Sequence, residues 1–135
     1  KFIVEEFIKG KELTVSTINF SNKIEALGVT EIKHDKSFFD YQSKYSKGLA
    51  KHILPAKITK KNYEKCLNLA IRAHSLLGCK SIARTDFILN TNNNKIYFLE
   101  TNSQPGLTSV SLLPEQAKFK KISFSEIILN IIQNT

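Results

Sequence analysis

Two carboxylates, an amide and a guanidinium sit at a spacing that lets them meet: Asp86, Glu100, Asn102 and Arg84. Residues 82–90 (IARTDFILN) and 95–102 (KIYFLETN) are rich in β-branched and aromatic residues and read as strands, with Thr91-Asn92-Asn93-Asn94 as the turn between them. A hairpin centred on Asn93 sets Asp86 opposite Glu100 and Arg84 opposite Asn102. Side chains alternate with a period of two, so all four then share one face. A slip of one residue would separate them. Carboxylate and amide oxygens are hard ligands, and Mg²⁺ takes a few of them together with water and substrate phosphates. A solvated strand pair in which Arg84 neutralises the carboxylates accounts for the same residues. The balance is tipped by Gln104-Pro105-Gly106-Leu107, which follows at once. Pro second and Gly third is the type II turn signature, and Gly lets backbone come close to a ligand.

Three segments carry a resemblance: Arg84-Thr85-Asp86-Phe87, Glu100-Thr101-Asn102-Ser103-Gln104-Pro105-Gly106, and SLLPEQA at residues 111–117. Together they resemble the C-terminal half of the D-alanine–D-alanine ligases, ATP-grasp enzymes that make the dipeptide precursor of bacterial peptidoglycan. The likeness runs through essentially the whole chain. It implies an α+β fold, the ATP-grasp C-terminal subdomain with an antiparallel sheet covered by helices. Residues 1–135 would be a fragment lacking the N-terminal domain and most of the central one. The implied reaction is ligation of two D-alanines through an acyl phosphate, with ATP and two Mg²⁺ ions, or Mn²⁺, as cofactors. Asp86, Glu100 and Asn102 would hold the metals, Glu100 bridging them. Arg84 and the backbone N–H of Gly106 would bind the oxyanion, charge that appears only in the transition state. Ser111 and Leu112, at a helix start, would take the carboxylate of the second D-alanine. Thr101 stands where relatives usually carry an apolar residue, but it points to the opposite face.

The first third reads as a meander. Residues 2–8 are expected as a strand, 9–12 as a turn, 13–20 as a second strand, and 23–27 as a third that continues extended to 32, with Ser21-Asn22 as a turn. The resemblance places Glu5, Phe7 and Ile8 around an adenine and Glu12 on the ribose hydroxyls, as acidic residues serve in other nucleotide folds. Residues 37–45 (SFFDYQSKY) are aromatic without helical or strand period, which suggests a lid, or else an aromatic satellite core. In the ligases this segment closes over the phosphates. Lys44 would touch the transferring phosphate, and Tyr45 would orient groups at the first D-alanine and favour D-alanine over D-lactate. Phe39 replaces a Tyr found in many relatives.

Thr59 is a good N-cap, with Ile58 and Tyr63 at staple spacing. Tyr63, Cys66, Leu67, Ala70, Ala73, His74 and Leu77 make one apolar helical face that ends at Gly78. Ser123 and Glu126 form a capping box with Ile122 and Ile127 as staple, and Phe124, Ile127, Ile128 and Ile131 are expected as the buried face of a last helix. His34, His52 and His74 form no constellation.

With 135 residues, 41% hydrophobic and 24% charged, the chain has the make-up of one globular domain with a real core. No apolar run is long enough to span a bilayer, and no signal peptide opens the chain. It starts Lys-Phe-Ile-Val and contains no Met, as expected of a piece excised from a longer protein. A net charge of +8 invites a nucleic-acid partner. Only Arg72 and Arg84 are arginines, however, and the lysines are scattered, so none is expected. Cys66 and Cys79 match no metal spacing and are expected as reduced thiols, in keeping with the cytoplasm. The expected partners are D-alanine, ATP, the remaining domains of the parent chain and a second copy of the full-length protein. Alone, the fragment is expected to be inactive. The alternatives are another ATP-grasp carboxylate–amine ligase and a basic nucleic-acid-binding module.

Overall fold

The computed structural model describes residues 2–34 and 50–134. The expected lid, with Lys44 and Tyr45, lies outside the described residues. The elements are β1 (Gly10–Phe20), β2 (Lys23–His34), β3 (Ala50–Ile53), α1 (Lys60–Leu76), β4 (Ile82–Asn90), β5 (Ile96–Asn102), α2 (Leu112–Phe119) and α3 (Phe124–Gln133). The strands form one antiparallel sheet in the order β3-β2-β1-β4-β5. The fold is α+β, an antiparallel sheet with helices on both faces.

β1 and β2 form a hairpin around Ser21 and Asn22, whose positive φ values of 50° and 65° suit a tight two-residue connection. The ladder slips after Ser16↔Gly28 to Thr17↔Ala26, leaving Leu27 as an extra residue in β2. The β4–β5 turn is built from its asparagines. Asn90 Oδ1 accepts from the N–H groups of Asn92 and Asn93 (2.8 and 3.2 Å), Asn93 Oδ1 accepts from that of Lys95 (3.0 Å), and Asn94 has φ 57°.

The two faces of the sheet are closed separately. Leu13, Val15, Val29, Phe87 and Leu89 pack under α1 through Cys66 and Ala70, flanked by Ile58 and Tyr63. Burial pushes the Cys66 thiol up to about 11. On the other face Ile18, Leu27 and Ile82 meet Leu113 and Ala117 of α2 and Ile127 of α3. The cap at Thr59 and the capping box at Ser123–Glu126 both form. The Ser123 hydroxyl and N–H hold the Glu126 carboxyl below its ordinary value. Gly78, with φ 64°, follows the last turn of α1.

Three expectations fail. Residues 2–9 form neither strand nor helix, and Phe2, Ile3, Val4 and Phe7 are almost fully exposed. The expected meander pairs this segment with β1, and both edges of β1 are already taken by β2 and β4. Residues 9–12 are therefore no turn, since β1 begins at Gly10, opposite Asn90. The glycine marks a close approach: a Cβ there would stand 2.3 Å from the Leu89 carbonyl oxygen. Finally, Leu77 and Phe124 are exposed, because Leu77 lies past the last turn of α1 as its C-cap residue and α3 buries only Ile127 and Asn130 fully.

Candidate functional site

The hairpin brings the four leading residues together as expected. Across β4 and β5, Asp86 faces Glu100, Thr85 faces Thr101 and Arg84 faces Asn102. Nearer the turn, however, Phe87 pairs with Phe98 and Leu89 with Ile96, so the simple centring on Asn93 does not hold along the whole hairpin. Leu99 is an extra residue, and this bulge restores the register that puts the carboxylates opposite one another. Phe98 and Thr101 fall on the α1 side, Phe98 edge-on to Phe87 at 6.0 Å between ring centroids and Thr101 Oγ1 2.9 Å from Thr85 Oγ1. Arg84, Asp86, Glu100 and Asn102 fall on the α2 side, together with Glu12 and Thr14 of β1.

The contacts on this face are specific. Arg84 grips Asp86 in a fork, Nη2 to Oδ2 at 2.9 Å and Nε to Oδ1 at 3.1 Å, with both side chains about three-quarters buried. Thr14 donates its hydroxyl to Asp86 Oδ1. Asn102 Oδ1 accepts from the Gln104 N–H at 2.8 Å, bending the chain out of β5. Glu100 is exposed. The contact expected of a self-neutralising strand pair is thus present at Asp86, and of the acidic rung Glu100 remains open beside it. Among the described residues no group of three His, Cys, Asp or Glu could hold a metal. The set here is two carboxylates and an amide, hard oxygens that suit Mg²⁺ completed by water and phosphate.

Gly106 does not have the positive φ a type II turn requires at that position; among the described glycines only Gly78 does. Its small size serves packing instead, since a Cβ would stand 2.8 Å from Ser111 Oγ. Ser111 is the N-cap residue of α2 by backbone geometry, yet its side chain makes no capping hydrogen bond. Its hydroxyl is 2.8 Å from Thr108 Oγ1 and accepts from the Thr108 N–H at 3.2 Å. The start of α2, with half-buried Leu112 beside it, is left to other acceptors.

The remaining nucleotide candidates are spread out. Glu12 lies on β1, two positions from Thr14 on the same face, whereas Glu5 and Phe7 are exposed and Ile8 half-buried in the irregular N-terminal segment. Among the buried polar residues that sequence reading missed, two bear on this face. One is Thr14. The other is Gln116, whose Oε1 accepts from Ser16 N–H (2.8 Å) and whose Nε2 donates to the Thr14 carbonyl (3.2 Å) and to Thr30 Oγ1 (2.9 Å). A signal existed: Gln116 sits between Leu113 and Ala117 on the buried stripe of α2. His52 Nδ1, 2.8 Å from Glu115 Oε2, ties β3 to the same helix.

A sequence family described as D-ala D-ala ligase C-terminus matches residues 1–133. A D-alanine–D-alanine ligase of Wolbachia pipientis wMel is 43% identical over 136 residues, covering 100% of this chain and 42% of that protein. The chain thus spans about two fifths of the length of the curated relatives it matches. Among solved structures, D-alanyl-alanine synthetase A from Vibrio cholerae superposes with a TM-score of 0.83 at 29% identity, over 97% of this chain and 40% of that one. The Bacillus anthracis D-alanine–D-alanine ligase complexed with ATP gives 0.73 at 28% identity, over 96% and 41%.

Proposed function

The chain belongs to the family of D-alanine–D-alanine ligase C-terminal domains, and from that premise we propose that it is the metal- and acyl-phosphate-handling part of a longer ADP-forming ligase. The reaction joins two D-alanines for peptidoglycan synthesis in the cytoplasm. ATP and two Mg²⁺ ions, or Mn²⁺, supply the activating phosphate and the charge neutralisation that phosphoryl transfer needs. The observation that carries this reading is the rung on which Asp86 faces Glu100, with Arg84 and Asn102 on the next.

Within that reading each residue has a task. Asp86, Glu100 and the amide oxygen of Asn102 hold the metals. Arg84 lends its guanidinium to the oxyanion formed when the amine of one D-alanine attacks the acyl phosphate of the other. The Gly106 N–H is the second donor to that oxyanion. The Ser111 hydroxyl and the Leu112 N–H at the start of α2 receive the carboxylate of the second D-alanine. Glu12 accepts from the ribose, while Glu5, Phe7 and Ile8 border the adenine. They reach it once the remainder of the parent chain gives their segment a partner. Lys44 and Tyr45 serve the transferring phosphate and the first D-alanine. The full-length enzyme works as a homodimer, and the 135-residue chain alone is silent.

The test is ADP release by the full-length ligase with Mg²⁺, with D-alanine or L-alanine, beside the Asp86→Asn variant. Release that requires D-alanine and collapses in the variant supports both substrate and metal site. Release indifferent to D-alanine removes the substrate assignment. Undiminished release by Asp86→Asn removes the metal assignment.

A further inference from the structure

We propose that Thr14 is a positioning residue for the Asp86 carboxylate, and that Gln116 anchors Thr14 to α2. The inference rests on the reading of Asp86 as a metal ligand. Thr14 pairs with Asp86 across β1 and β4, is fully buried, and donates its hydroxyl to Oδ1. Arg84 also holds this carboxylate, through Oδ2 at 2.9 Å and Oδ1 at 3.1 Å. The two organisers differ in kind. Arg84 reaches Asp86 from two residues away on the same strand with a long, rotatable side chain, and the reaction asks its guanidinium to serve an anion. Thr14 is β-branched, stiff at χ1 and enclosed on the central strand, so its hydroxyl stays when the guanidinium turns elsewhere.

The hold extends further. The Thr14 carbonyl accepts from Gln116 Nε2 at 3.2 Å, and the same amide binds the Ser16 N–H at 2.8 Å and Thr30 Oγ1 at 2.9 Å. Gln116 is fully buried and lies on the helix that begins at Ser111. Hydrogen bonds therefore join the middle of α2 to the acidic rung, from Gln116 to the Thr14 carbonyl and from the Thr14 hydroxyl to Asp86. Hydroxyl donors of this kind orient a ligating oxygen, and their removal lowers metal affinity by about 10–100-fold.

The test uses the full-length ligase with ADP and Mn²⁺, bound Mn²⁺ being read by electron paramagnetic resonance without turnover. Thr14→Val keeps shape and strand propensity but loses the hydroxyl. It is expected to raise the Mn²⁺ Kd about tenfold or more, with thermal unfolding confirming the fold. Thr14→Ser, which restores the donor, is expected to bring Kd back toward wild type. In steady state the Mg²⁺ requirement of Thr14→Val rises while KM for D-alanine holds. Should Thr14→Val not fold, Thr14→Ala against Thr14→Ser makes the same contrast. Wild-type Mn²⁺ binding by the hydroxyl-free variant, with binding lost in Asp86→Asn, would overturn the role of Thr14 and leave the metal site standing. Wild-type binding by Asp86→Asn would overturn both.

Discussion

The two faces of this sheet are made by the same strands and differ in what alternate residues do. Toward α1, the side chains of Leu13, Val15, Phe87 and Leu89 close an apolar core against Cys66 and Ala70. Toward α2, Thr14, Arg84, Asp86, Glu100 and Asn102 line a polar surface, and apolar packing is confined to the end where Ile18 and Ile82 meet α2 and α3. A 17-residue helix covers the first face, while the 8- and 10-residue helices cover only part of the second. A period of two lets one strand serve both purposes: every second residue stabilises, and the ones between are free for chemistry.

Substitutions on either face should separate these roles, the largest first. Phe87→Ala empties a fully buried aromatic site and is expected to cost about 3–5 kcal/mol in urea unfolding. Activity per folded molecule of the ligase should change little. Asp86→Asn should do the reverse, lowering ADP release about a hundredfold or more, as loss of a strong transition-state contact does. Its melting temperature should fall by less than that of Phe87→Ala, because the Asn amide oxygen keeps an acceptor for the Thr14 hydroxyl and for Arg84 Nε. Equal damage to stability and activity by both would erase the distinction between the faces. Gln116→Leu touches both roles, stranding the Ser16 N–H and the Thr14 carbonyl, at about 1–3 kcal/mol by denaturant titration.

The smallest effect is electrostatic and belongs to the α1 face. His74 is buried against Thr17, its Nδ1 2.8 Å from Thr17 Oγ1, and burial lowers its pKa from the ordinary 6.5 while the Cys79 backbone opposes this. The unfolded chain then takes up a proton near the ordinary value, before the folded one does. The His74 contribution is complete above that value and is lost as pH falls through it toward the lower folded value. Unfolding followed between neutral and mildly acidic pH should show this loss, and His74→Gln should flatten it.

Much of this was legible in the sequence because local rules agree with the fold. The β4–β5 hairpin, the caps at Thr59 and Ser123 and the Ser21-Asn22 turn carry their own chemistry. The acidic rung was read from alternation about a centre at Asn93, and it forms only because the bulge at Leu99 restores that register. What the sequence hid is long-range. Gly10 looks like a turn former but admits the Leu89 carbonyl, a contact set 79 residues along the chain. The strand expected at 2–8 has the right composition, but composition does not reveal that its expected neighbour β1 is paired on both sides. Thr14 and Gln116 escaped notice because their value lies in partners 72 and 102 residues away.

The extra residue at Leu99 has a bearing on solubility as well. β5 is a border strand of the sheet, and Phe98 and Leu99 are each half exposed there. Unpaired backbone beside apolar side chains is a template on which a second chain can add a strand. A bulge kinks such a border and interrupts its even row of donors and acceptors. The irregularity that lines up the acidic rung therefore also guards the strand against self-association, and removing Leu99 would keep Asp86 opposite its carboxylate while leaving the border flat and adhesive.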